Sequence, residues 1–144
     1  MIKNSNRFLR YALLAVVMLV ASTATAKKVV VPKMYMFGFA ASFNDTIIHF
    51  TNIQEVDSVW VDSKTEFLAG REQYSAQLQQ YLNNQQMPNR TCIVIYDKKR
   101  KKAEKKYLKL RRLYVAPKKG QPQRYEVRYI DDPFRFKSFD MSEQ

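Results

Sequence analysis

The apolar positions of the chain fall into three periods. Met34 to Phe43 (MYMFGFAASF) is apolar, aromatic and free of charge, which predicts a central strand. Asn44-Asp45 is a turn signal, and Thr46 to Thr51 (TIIHFT) predicts a second strand in an antiparallel hairpin with the first. Gly38 inside the first strand points to a bulge or a close backbone approach. Between Asn52 and Gly70 the pattern is weak, and Val59-Trp60-Val61 reads as either a short strand or a buried loop. From Arg71 the period becomes helical. Tyr74, Leu78, Tyr81 and Leu82 share one face, and Asn83-Asn84 and Pro88 end the segment.

Thr91 to Tyr96 (TCIVIY) is a continuous apolar run, as a strand covered on both faces requires. Asp97 then occupies an N-cap position for a helix over Lys98 to Tyr114. Ala103, Tyr107, Leu110 and Tyr114 form that helix's apolar stripe. Arg124 to Ile130 alternates as a half-buried strand, and Phe134, Phe136 and Phe139 suggest a last edge segment. The order ββαβαβ predicts a small two-layer or three-layer α/β sandwich, with a mixed four- or five-stranded sheet and two main helices. Thr91 to Ile130 reads as a strand–helix–strand crossover between parallel strands.

The first 26 residues have a different design. Lys3, Arg7 and Arg10 precede an uninterrupted apolar run, Tyr11 to Val20, and Ala24-Thr25-Ala26 follows with small residues at the cleavage positions. This is the order of a secretory signal peptide. The expected domains are therefore a signal at 1–26 and one α/β domain at 27–144, exported and without a later membrane span. No second apolar segment approaches the ~20 residues that a helical span needs.

Export changes the meaning of the charge. The chain carries +12 overall, and Lys98 to Arg112 holds ten basic residues against one acid, Glu104. Once the three cations of the leader are removed, that stretch accounts for the whole remaining excess. On a helical wheel with Ala103 at 0°, Lys101, Lys102, Lys105, Lys109 and Arg112 fall between about 160° and 260°, away from the apolar stripe. Lys98, Lys99 and Arg100 add cations at the helix N-terminus, just past the carboxyl end of a strand, where α/β sheets bind ligands. The expected role is attraction to an anion: an anionic lipid, a lipopolysaccharide phosphate or an acidic glycan. Nucleic acid fits poorly, because Tyr107 and Tyr114 lie on the buried stripe and cannot stack on bases.

Catalytic chemistry finds little material. One Cys and one His exclude an internal disulfide, multi-thiolate zinc sites and His-rich metal triads. Three glycines leave no Gly-rich phosphate loop, and no cofactor is implied. Cys92 and His49 form a dyad only if two buried strands place them together. Asp97, Asp131 and Asp132 all follow strands expected to be parallel, so a metal- or carboxylate-dependent hydrolase is the alternative to a non-enzymatic binding domain. A third reading is a component of a protein assembly, pairing through a sheet edge near Phe134 to Phe139.

The segments FGFAASFND at Phe37 to Asp45, MPNRTCIV at Met87 to Val94 and KKAEKKYLKL at Lys101 to Leu110 give the chain a resemblance to short exported proteins of Bacteroidales-type bacteria. The resemblance implies a Gram-negative periplasm or cell envelope. It implies no activity.

Overall fold

A computed structural model describes residues 27–143, together with Arg7 and Tyr11 of the N-terminal segment. The expected signal segment at 1–26 otherwise lies outside the described residues. The elements are β1 (Lys28–Ala41), β2 (Ile47–Thr51), β3 (Gln54–Asp62), α1 (Arg71–Asn84), β4 (Thr91–Asp97), α2 (Arg100–Val115) and β5 (Glu126–Ile130). Among the described residues no helix is long and apolar enough to cross a membrane.

β1 is the central strand, as its charge-free core predicts. Its C-terminal half pairs antiparallel with β4 on one side and β2 on the other, and β2 pairs in parallel with β5. Its N-terminal half, from Lys28 to Met34, pairs with β3 alone; the β3 ladder runs on to Met36↔Gln54, where β4 has joined on the other side at Tyr35. The uncertain stretch around Trp60 is thus a full nine-residue strand. β2 and β3 together make one partner for β1, broken by a bulge: from Met36 to Phe39 β1 advances three residues while its partner advances four, from Gln54 back to Phe50. Pro32 lies in the stretch of β1 that β4 does not reach, between the pairs Val31↔Val59 and Lys33↔Asp57.

The pleat of β1 sorts two cores. Met34, Met36 and Ala40 point to the α1 face, where they pack with Tyr74, Leu78 and Leu82 of α1 and with Val94. Phe37 and Phe39 point the other way and meet Phe50, Tyr107, Leu110 and Tyr114. One helix therefore covers each face, and the molecule is a three-layer α/β/α sandwich. Gly38 lies opposite that bulge and also marks a close approach, of side chains from α1 and the C-terminal segment. A Cβ there would stand 2.5 Å from Leu78 Cδ2 and 3.2 Å from Phe136 Cζ.

Two expectations need correction. β4 is an edge strand whose two faces are covered unequally: Val94 is fully buried on the α1 face, Ile95 packs against the α2-face core, and Ile93 stays exposed on that side. The aromatic tail forms no sheet edge. Phe134 and Phe136 are buried against the α1-face core without strand pairing. The buried Gln54 side chain holds this segment, donating to the Phe134 carbonyl at 3.1 Å and accepting from the Phe136 N–H at 2.8 Å.

Candidate anion-binding site

Aromatic packing sets the orientation of α2. Tyr107 meets Phe37 edge-on at 5.1 Å, and Tyr114 lies 5.2 Å from Phe39. Edge-to-face rings fix rotation about the helix axis as well as distance. The opposite arc must then face water. Lys98, Lys99, Arg100, Lys101, Lys102, Lys105, Lys109 and Arg112 are all exposed, as the wheel requires.

Acids neutralise only part of this charge. Lys98 pairs with Glu66 at 2.7 Å, Arg100 with Glu104 at 3.9 Å, and Lys106 with Asp97 at 3.1 Å. Among the described residues no carboxylate lies within 4.0 Å of Lys99, Lys101, Lys102, Lys105, Lys109 or Arg112. Lys101, Lys105 and Lys109 also stand at successive spacings of four, where like charges repel.

Both helices run back from the carboxyl end of β4, so both N-termini lie at that end. Between them is an open cleft of about 510 Å³ whose walls include Arg71, Lys98, Lys99, Lys102 and Lys106. Glu66 and Asp97 are its acids. Neither helix has a side-chain N-cap. Asp97 does not cap α2, contrary to expectation. The helix begins two residues later, with Lys99 at the cap position, and the Asp97 carboxylate accepts the Lys99 N–H at 3.0 Å. Burial pushes the Asp97 carboxyl up, but that N–H and the Lys106 ammonium outweigh it and hold the group below its ordinary value. Arg100 stands outside the cleft, over the Tyr35 ring at 5.4 Å.

Two cations of the cleft also protect the sheet edge. The Gly38 N–H turns towards Thr51 on the β2 side, at 2.8 Å. Gly38 and Val94 are cross-strand partners, so they form a non-hydrogen-bonded pair and the Val94 carbonyl points outward. Arg71 Nε donates to it at 3.0 Å, and Lys106 Nζ donates to the Tyr96 carbonyl at 2.9 Å. Both cations lie against the Tyr96 ring as well, at 5.7 and 5.9 Å. Charged side chains over exposed carbonyls are a common defence against strand addition. Arg71 and Lys106 were not singled out by the sequence pattern. Lys106 sits at about 300° on the wheel, on the rim of the apolar stripe, and Arg71 belongs to the other helix.

The catalytic alternatives do not assemble. β4 and β5 run parallel, but β1 and β2 lie between them. Asp97 is therefore about 14 Å across the sheet from Asp131 and Asp132, taking three strand spacings. Asp132 pairs with Arg135 at 2.9 Å. Among the described residues no group of three His, Cys, Asp or Glu side chains is placed to hold a metal. His49 and Cys92 flank the same residue, Ala40, from opposite sides. Two strand spacings, about 10 Å, part their backbones, which is beyond hydrogen-bond reach. Burial pushes the Cys92 thiol up to about 11. Burial, with Arg90 and Arg128 nearby, pushes His49 down to about 4. At that separation the thiol and the imidazole form no nucleophile–base pair.

The buried charge of Arg90 is a feature that the sequence did not reveal. Its guanidinium donates to the Ile47 carbonyl at 2.9 Å and to the Asp45 carboxylate, tying the β1–β2 turn to the start of β4. Arg90 Nε and His49 Nδ1 are both buried without a partner among the described residues. The chain matches no protein-family model, no curated protein and no solved structure.

Proposed function

We propose that this protein is a non-enzymatic, exported domain of a Gram-negative periplasm or cell envelope, and that it binds an anionic envelope component through the outer arc of α2. The ligand class is a phosphate- or carboxylate-bearing surface: anionic lipid, lipopolysaccharide or acidic glycan. The observation that carries the reading is the set of exposed cations on one arc, Lys101, Lys102, Lys105, Lys109 and Arg112, with no carboxylate within 4.0 Å among the described residues. Such an arc attracts polyanions from a distance and gains little from being inside this fold. The cleft at the helix N-termini extends the same potential around the β4 edge.

The test is retention on heparin and on anionic vesicles, comparing the native chain with Lys101→Gln/Lys102→Gln/Lys105→Gln/Lys109→Gln. The native protein is expected to bind both at low salt and release as salt rises, because exposed charges are screened over about 10 Å at 0.1 M. The variant is expected to elute early. Retention of the variant equal to that of the native chain would overturn the reading.

A further inference from the structure

Which anion the arc meets can be narrowed by what borders it. At the C-terminal half of α2, Leu113 lies one helical turn from Lys109 and next to Arg112. It is 69% exposed. On the α2 side of the sheet, Ile93 is 39% exposed and Phe43, at the β1–β2 turn, is 102% exposed. Phe43 and Ile93 share an apolar notch of about 270 Å³ with Phe39 and Ala41. Tyr114, beside Leu113, packs on Phe39 at 5.2 Å and so brings the helix end to that notch. Scattered exposed apolar residues need no explanation, but an apolar patch against a cation row is a specific combination. A glycan or a free phosphate would satisfy the lysines and leave Phe43 and Leu113 in water.

We infer that the partner is an anionic lipid bilayer, met by a single face in which Lys105, Lys109 and Arg112 contact headgroup phosphates while Leu113, Ile93 and Phe43 enter the headgroup–acyl boundary. The inference rests on the anion-binding reading above and names its partner. Charge complementarity brings the face to the membrane. Shallow apolar burial then holds it there. Strand addition by a peptide is the poorer match for this edge, since Arg71 and Lys106 already occupy the outward carbonyls of Val94 and Tyr96.

The experiment uses vesicles of phosphatidylcholine alone and vesicles doped with phosphatidylglycerol, with a heparin column in parallel. Native protein is expected to float with the doped vesicles only. Phe43→Ser/Leu113→Ser, two exposed positions whose loss leaves the core intact, is expected to weaken vesicle binding about tenfold while heparin retention stays native. Vesicle binding by this double variant equal to the native chain would overturn the bilayer inference and leave the anion-binding reading standing. Native binding of both supports by the four-lysine variant would instead overturn the reading beneath it. In a Phe43→Trp/Trp60→Phe protein, emission at position 43 is expected to shift to the blue on doped vesicles. Unshifted emission from vesicle-bound protein would place the side chain in water and also overturn the inference.

Discussion

The two faces of the sheet solve the same covering problem with opposite chemistry. On the α1 face a largely uncharged, glutamine-rich helix lies over a deep core of Met, Val, Leu and Tyr, and the C-terminal segment closes the remaining gap. On the α2 face a strongly basic helix covers a small aromatic core and leaves Ile93 and the notch beside it open. Their outer surfaces differ in the same sense. α1 holds its tail through Gln77, which exchanges hydrogen bonds with the Lys137 backbone at 2.8 and 2.9 Å. α2 presents cations to solvent and an unfilled border. Most of the buried core lies on one face, and the exposed cations lie on the other.

Paired truncations break this comparison most directly. Leu78, fully buried at the centre of the α1 face, is expected to cost about 3–4 kcal/mol as Leu78→Ala, because the cavity cannot collapse beneath Gly38. Leu110, only partly buried on α2, is expected to cost about 1 kcal/mol as Leu110→Ala. Urea denaturation measures both. Equal costs would show that the two faces carry equal weight.

pH separates the faces next. His49 is the only histidine in the sequence and lies on the α1 side of β2. The unfolded chain takes up a proton near pH 6.5 that the folded protein refuses until about pH 4. The unfolded state therefore binds more protons across that window, and stability falls as pH drops through it. Over the whole window the loss is about 3 kcal/mol. His49→Gln is expected to flatten the dependence between pH 6.5 and 4 in thermal melts at fixed ionic strength. A native-like slope in the variant would assign the acid sensitivity elsewhere.

A smaller effect is expected at Gln54, which closes the α1 face. Gln54→Ala leaves the Phe134 carbonyl and the Phe136 N–H without their partner. The cost is about 2 kcal/mol, and limited proteolysis is expected to cut first near Phe134–Phe139. Unchanged cleavage kinetics would show that Phe134 and Phe136 hold the tail by packing alone.

Much of this architecture was legible in the chain. The charge-free run at Met34 identified the central strand, and the spacing of Ala103, Tyr107, Leu110 and Tyr114 located the buried side of α2. The basic ridge followed from the same wheel, because a stripe that faces the core determines what faces water. β3 was not legible. Val56, Val59 and Val61 do not keep strict alternation across Ser58, whose φ of 56° disturbs the pleat. The edge position of β4 was hidden too. A continuous apolar run reads as central, yet here Arg71 and Lys106 cover the exposed edge from two different helices. Local spacing shows that the strands before Asp97 and before Asp131-Asp132 are parallel, and does not show that two strands lie between them. Arg71 and Arg90 act over long sequence separations, on Val94 and on Asp45, and no local pattern encodes those contacts.

The smallest effect tests the other side of the comparison. If the ridge exists for a partner rather than for the fold, removing it must not weaken the fold. Lys101, Lys105 and Lys109 repel at successive spacings of four, and the first turn of α2 carries no acid to offset cations at the positive end of its dipole. The four-lysine Gln variant is therefore expected to be as stable as the native chain or more stable, by about 0.5 kcal/mol at low salt. Salt screens exposed repulsion, so added NaCl is expected to raise the native midpoint towards that of the variant and to move the variant little. Denaturation of both proteins at low and high NaCl checks this. A variant clearly less stable at low salt would mean that these lysines stabilise the helix, through stems packed on its apolar flanks, and would remove the ground for assigning the ridge to a partner.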